Sequence, residues 1–356
     1  MWKKPMNHES RMRIHEVRAH VLSGALVASR PGFVDGNSCV PPTLNSDRMN
    51  AVGRSWKGQV YLVSMSTLSL LLVLSSTFLH ATWNLLARRQ HAEEAFFGRM
   101  LIAVLIPGFL PAALSEWLAP ALSLRVWAYL AVSGTFCGFY YFFLARGYRD
   151  ADFTVVYPLA RALPVLLVGV GDVVRGRYPT PLGWTGMVLV VAGCFLVPLR
   201  SLREVAVSRY LNRASLWMVL TALCTVGYSL IDKMAAELVP PGPASAARYE
   251  YAFYLISWLA YTGIVRLWGD AEGKGDTIGW RLPLLAGSFN FIAYWLVLWA
   301  YQLSERASYI VAFRQFSIVI GVVLAFLIYQ EEGRAVRLTA TLLITGGLLI
   351  IGIGGR

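Results

Sequence analysis

Charge is scarce in this sequence. Of its 356 residues only 15% are Asp, Glu, Lys or Arg, while 56% are hydrophobic, and the mean hydropathy is +0.54. A soluble domain carries about a quarter charged residues. This chain has too few to keep its own surface wet, so much of that surface must face lipid. The charges present are mostly basic, with a formal net charge of +12. They fall between apolar runs and form no stripe, which excludes nucleic acid as a partner and marks them as helix-end residues. Cysteine is scarce too. Cys137, Cys194 and Cys224 lie inside apolar runs, and with Cys39 they make no paired spacing. That excludes a disulfide frame or a zinc site and leaves small apolar fillers. Enzyme signatures are missing: there is no HExxH, GxSxG, Walker loop or paired metal-ligand spacing. The expectation is a protein that is not an enzyme and needs no cofactor.

Long apolar runs are what the sequence does have. Each is near the ~20 residues that cross a bilayer. The spans read as Ser66–Leu86, Ala95–Leu114, Val126–Gly147, Phe153–Val174, Pro181–Leu199, Ala214–Ala235, Arg248–Leu267, Leu282–Leu303, Ala307–Tyr329 and Leu338–Gly355. Their connections are too short to hold a soluble domain. Residues 1–64 differ: they are basic, rich in Gly, Pro, Asn and Ser, and without helical period. They read as a disordered tail. Val21–Ala28 loosely mimics a signal h-region but is far shorter than a span. Met65 stands directly before the first span, so the tail is a candidate for a segment that is not translated.

The chain divides into halves over 65–200 and 214–356. The fourth and fifth spans read FTVVYPLARALPVLLVGVGDVV and PLGWTGMVLVVAGCFLVPL; the ninth and tenth read YIVAFRQFSIVIGVVLAFLIY and RLTATLLITGGLLIIGIG. Each pair has an Arg early in its first helix and glycines in its second. Five helices per half is odd, so the halves must enter the membrane in opposite orientations. The expected fold class is an all-α integral membrane protein, ten transmembrane helices as two inverted five-helix repeats.

Five stretches carry a family likeness: FLHATWNLLARR (Phe78–Arg89), VVYPLARALPVLL (Val155–Leu167), YSLIDK (Tyr228–Lys233), YIVAFRQFSIVIGV (Tyr309–Val322) and the glycine-rich close from Gly346. From about Met65 to Gly355 the chain resembles the EamA-type branch of the drug/metabolite transporter superfamily. The resemblance implies a central cavity and alternating access, in a multi-pass protein of the cell (inner) membrane. It implies no single substrate, because that family moves amino acids, metabolites, drugs and sugar-linked molecules. One departure is YQEEGR, with Glu331 and Glu332 where a single Glu is commoner.

Charges inside spans are costly, about 2.5–3.5 kcal/mol each at a helix centre, and usually face a cavity or a partner. Arg161 and Arg314 each lie about two turns into their spans, too deep to snorkel. Both are expected in the cavity, holding the acid group of a substrate with a guanidinium fork. A structural ion pair or a carbonyl cap is the alternative. Asp232 can pair with either arginine, carry a coupling proton, or make a local pair near its helix end. His80 and Asn84 share a face of the first span, where lining the cavity competes with plain interhelical hydrogen bonding. Tyr157, Tyr228, Asn290, Tyr294 and Gln315 complete the candidate pocket. Glu250 falls close to a helix end and is expected to be wet. Gly186, Gly193, Gly346 and Gly347 are expected to let helices approach closely within the chain, with a dimer face as the alternative.

The reading is a secondary transporter, exporter or exchanger, of a small anionic or zwitterionic metabolite. With no nucleotide-binding domain it would run on a gradient of ion or substrate. The rivals are a lipid or lipid-linked sugar flippase, and a membrane scaffold or sensor whose two arginines are fully paired and which has no connected cavity. The expected partners are a small-molecule substrate and the lipid bilayer, with the chain a monomer or homodimer. The resemblance suggests cytoplasmic termini. The positive-inside count points the other way, because Arg200, Arg203, Arg209 and Arg213 fall together in the central connection.

Overall fold

The structure is a computed structural model that describes residues 65–87, 93–150, 153–199, 213–269, 279–329 and 334–355. The tail, the central connection, Glu331 and Glu332 lie outside the described residues. Every regular element among those described is helical. The elements are α1 (Thr67–Ala87), α2 (Glu93–Leu118), α3 (Leu124–Asp150), α4 (Phe153–Val174), α5 (Pro181–Leu196), α6 (Arg213–Ala236), α7 (Pro243–Trp268), α8 (Arg281–Gln302), α9 (Ala307–Phe313), α10 (Phe316–Tyr329) and α11 (Arg334–Gly354). Helices α1, α2, α3, α6, α8 and α11 are long and apolar enough to cross a bilayer, and α5 and the α9–α10 stretch are shorter apolar helices. The outer faces are greasy. On α2, Ile106, Phe109, Leu110 and Trp117 are all more than 60% exposed, which water would punish and lipid does not.

The helices pair in a pattern that survives exchange of the two halves. Helix α1 packs on α8 as α6 packs on α3, and α2 packs on α8 as α7 packs on α3. Helix α4 meets α6 as α9 and α10 meet α1. Equivalent helices also meet one another: α2 with α7, α5 with α11, and α4 with α9. Each of these equivalent pairs runs antiparallel. Along α5 and α11, Gly186 lies against Gly347 and Gly193 against Ala340 and Ile344. Along α2 and α7, Gly98 lies against Tyr261 and Gly108 against Tyr251. Equivalent helices running head to tail are what two oppositely oriented repeats produce.

Small residues set the closest approaches. A Cβ on Gly186 would stand 2.6 Å from the Gly347 carbonyl oxygen, and one on Gly347 would stand 2.5 Å from the Gly186 carbonyl oxygen. Without side chains these backbones can touch, which is how helices associate tightly where lipid gives no hydrophobic drive. Gly346 makes no such contact and faces open space. Cys137, Cys194 and Cys224 are buried and free, the fillers expected.

The ninth apolar run is not one helix. Helix α9 is seven residues long and ends at Phe313. Arg314 and Gln315 form a turn, and α10 starts at Phe316. The hydrophobic pattern crosses this break unbroken, because side-chain polarity and not hydropathy makes it. The Gln315 side chain donates to the Val311 carbonyl at 2.9 Å. The Arg314 carbonyl accepts from Ser317 Oγ at 2.9 Å and from Arg161 Nη2 at 2.8 Å. Side chains have taken over acceptors that the i→i−4 ladder would use.

Candidate functional site

Helix α4 grips α9 at both ends. Asp172, three turns beyond Arg161, is fully buried and accepts from the backbone N–H groups of Ala307 at 3.2 Å and Ser308 at 2.8 Å. Its negative charge meets the positive end of the α9 dipole. At the other end, Arg161 reaches the carbonyl of Arg314, where the dipole is negative. Asp172 was not singled out by the sequence, although an acid inside the apolar run GVGDVV was the available signal.

Arg161 is saturated by protein groups. Besides the Arg314 carbonyl it donates to Gln315 Oε1 at 2.9 Å and contacts His80 Nε2. His80 also receives the indole N–H of Trp83 on Nδ1 at 3.1 Å. A neutral imidazole has one acceptor nitrogen, so Arg161 and Trp83 compete for it. The carbonyl cap foreseen as an alternative for Arg161 is thus realised, while the residue still lines a cavity.

Arg314 is different. Its side chain is buried, its guanidinium lies over the Tyr294 ring at 5.4 Å, and it makes no ion pair with any described carboxylate. It lines both central cavities. One, of about 30 Å³, is bounded by Arg314, Arg161, His80, Gln315, Tyr140 and Tyr228 among others. The other, of about 20 Å³, adds Tyr141, Tyr254, Asn290 and Tyr294 to the shared Arg314, His80, Tyr140 and Tyr228. A water needs about 10–15 Å³ on this measure, so each space holds one to three waters. A metabolite pocket is ~300 Å³ or more. The arrangement is therefore closed around the site.

Asp232 pairs with neither arginine. It is fully buried and accepts three hydroxyls: Tyr249 at 2.7 Å and Ser133 on Oδ1, and Tyr294 on Oδ2. Tyr294 therefore stands between the carboxyl and Arg314, its hydroxyl on one and its ring under the other. Lys233, the neighbour of Asp232, turns away to the Tyr301 carbonyl at 2.9 Å and to Glu237 at 3.0 Å. Arg175 joins that knot through Asp172 and Glu237. Glu237 lies just past the end of α6. Partial burial pushes its carboxyl up, and the bonds and charges of Lys233 and Arg175 outweigh that and hold it below the ordinary carboxylate range.

The other expected residues divide. Tyr228 and Gln315 line the larger of the two spaces. Asn290 lines the smaller space, with its amide given to Tyr141 and Tyr254 at 2.8 Å each. Asn84 lines neither cavity: it donates to the His80 carbonyl at 2.8 Å and accepts from Tyr148 at 3.2 Å. Tyr157 lies on α4, and its side chain is outside what the structure describes. Tyr140, Tyr141 and Tyr254 were missed, although the aromatic tract Phe139–Phe143 was visible as a run. Glu250 corrects the wet position expected for it, because it is wholly buried.

A buried cation at a broken helix, inside a bundle whose two halves pair by the same rule, is consistent with the repeat plan of transporters. The sequence comparison agrees. A model described as the EamA-like transporter family matches twice, over residues 67–199 and 212–353. The chain belongs to the EamA-like transporter family. The two matches are the two halves seen in the packing, and they make the protein a multi-pass membrane transporter. No curated protein sequence matches it. Among solved structures, one described only as "Crystal structure of protein" matches with a TM-score of 0.59 at 16% identity, over 81% of this chain and 98% of that one. At that identity the likeness concerns the fold alone. Within this EamA-like chain, the family match spans both faces of the cavity, and Arg161 and Arg314 come one from each half.

Proposed function

We propose that this EamA-like protein is a secondary transporter, an exporter or exchanger, of a small anionic or zwitterionic metabolite, crossing a cell (inner) membrane ten times as two inverted five-helix halves. One observation carries the substrate charge: Arg314 is buried, faces both central spaces and has no described carboxylate partner. A buried guanidinium without a carboxylate partner is costly. An anionic group on the substrate offsets that cost, and the planar fork suits carboxylate or phosphate. Arg161 positions this cation through the Arg314 carbonyl. Tyr140, Tyr228, His80 and Gln315 frame the space, and Asp232, screened by Tyr294, is the coupling candidate. The small closed volume fits one state of an alternating-access cycle.

The scaffold reading needs both arginines paired, and Arg314 has no described carboxylate partner. The flippase reading has one feature in its favour, an apolar groove of about 490 Å³ among α2, α3 and α7, with Glu116 and Arg248 on its wall. That groove shares no lining residue with the spaces around Arg314, so a headgroup there would not meet the free cation.

The test is metabolite profiling of cells with and without the protein, followed by flux of the accumulated anion through Arg314→Ala. The expected result is at least a hundredfold loss of flux with normal membrane insertion. Undiminished flux in that variant removes the anion-site reading.

A further inference from the structure

Glu250 is a buried acid whose chemistry the site does not use. It lies seven residues into α7 and is fully buried. Neither carboxyl oxygen has a hydrogen-bond partner among the described residues. An isolated carboxylate in a protein interior is so poorly solvated that the group takes up a proton instead. Its surroundings supply no cation to prevent this. At its depth α2 presents Leu105 to Leu110, with nothing ionisable. Helix α3 carries Tyr129 and Ser133, α8 carries Tyr294, and its own helix carries Tyr249, Tyr254 and Arg248, the last turned to the carbonyls of Ser115 and Ala119 and to Glu116. The charged group acting on it is Asp232 of α6, another acid.

Two acids therefore share one region, and they are served differently. Asp232 accepts three hydroxyls and can stay ionised, while Glu250 has none. Tyr249, next in sequence to Glu250, donates to Asp232 and links them. A small void touches Asp232, Tyr249, Ala246 and Gln302. Gln302 in turn bonds the Pro240–Gly242 turn through Gly242 N at 2.9 Å. That turn joins α6 to α7, so the void lies between Asp232 and one end of the bundle, with Tyr249, the chain neighbour of Glu250, on its wall.

We infer that Glu250 is a proton-binding site, protonated in this closed arrangement and able to exchange its proton only when the α6–α7 end admits water. On opening, the carboxyl O–H bond breaks, the proton passes to entering water, and the carboxylate is left solvated beside Tyr249. The proton site itself stands on burial and bonding alone. Its consequence, that a proton accompanies each conformational cycle, rests on the transporter reading above.

Infrared spectroscopy of the purified full-length protein in lipid nanodiscs tests the site without a substrate. At neutral pH the wild type should show a protonated-carboxyl band of the kind given by a carboxyl free of hydrogen bonds. The band should shift when glutamate is labelled with ¹³C and be absent from Glu250→Gln. Exchange into D₂O should move it slowly, over many seconds, because the bundle must open first. A labelled wild type without such a band, or a band surviving in Glu250→Gln, overturns the proton site. A shift complete within mixing overturns the gating. Should Glu250→Gln fail to fold, the labelled wild type and its exchange rate still decide both points. Neither readout involves transport, so the failure of Arg314→Ala to reduce flux would sink the anion-site reading and leave this result standing.

Discussion

At the scale of the residue, the site is decided by which buried charges are answered and which are not. Arg161 has three protein acceptors within reach, while Arg314 has a tyrosine face. The same spacing in the two repeats gave no hint of this difference, because it arises from contacts across the halves. Two arginines that look alike in sequence should therefore respond differently to lysine. Arg161→Lys cannot reach Gln315 and the Arg314 carbonyl together, and should lower the melting temperature by several degrees, read by thermal shift in detergent. Arg314→Lys keeps the charge but loses the fork; it should fold normally and raise the KM for the transported anion about tenfold or more. An equal fall in melting temperature for both would argue that they are structural alike. Asp232 gives a second residue-level expectation. Removing one of its hydroxyl donors, as in Tyr249→Phe, takes away a bond to a charged group worth about 1.5–3 kcal/mol. The loss should appear as a lower thermal midpoint with insertion unchanged.

At the scale of the element, most helices were legible and their irregularities were not. Ten apolar runs were visible, and the helices follow them within a few residues except at Arg314–Gln315. That break depends on Arg161 from another helix supplying a donor to the freed carbonyl, which no local pattern encodes. Glu250 was misplaced for a simpler reason. The run was counted from Arg248, whereas α7 starts at Pro243, and five extra residues carry Glu250 from the rim to two turns deep. Arg146, near the end of α3, is likewise buried, beside Glu94 at 3.1 Å. Glycine meaning was partly readable. The sequence grouped Gly346 with Gly347, and only Gly347 touches another backbone. Gly347→Ala should therefore cost about 1–3 kcal/mol through forced separation of α5 and α11, while Gly346→Ala should be near neutral. Chemical denaturation of the two variants in mixed micelles reads the difference, and equal costs would reject the seam as drawn. The knot at the end of α6 adds a dependence on pH. Glu237 is held below its ordinary value, so its contribution is present at neutral pH and lost as the pH falls through that lowered value. Opening at that end should become easier in acid.

At the scale of the molecule, the duplication was readable from the paired spans, and the antiparallel packing of equivalent helices follows from it. Sidedness is a different matter, because a fold without its membrane has no inside. Five crossings per half, as proposed, make a specific prediction. Reporter fusions after Leu202 and at Arg356 should report opposite sides of the membrane, and the basic central connection favours the cytoplasm for the first. The same side for both would mean that one half crosses an even number of times.

The two close approaches on the α5–α11 seam, Gly186 on Gly347 and Gly193 on Ala340, trade places when the halves are exchanged, so the axis that exchanges them passes through the seam between these contacts. A point on a rotation axis stays where it is while everything else trades places. If the two halves swap shapes during a cycle, this seam is the fulcrum and Arg314 rides on the lever arm. A covalent tether across α5 and α11 would then leave the machine running, whereas one across α3 and α6, between Ser133 and Asp232, would stall it.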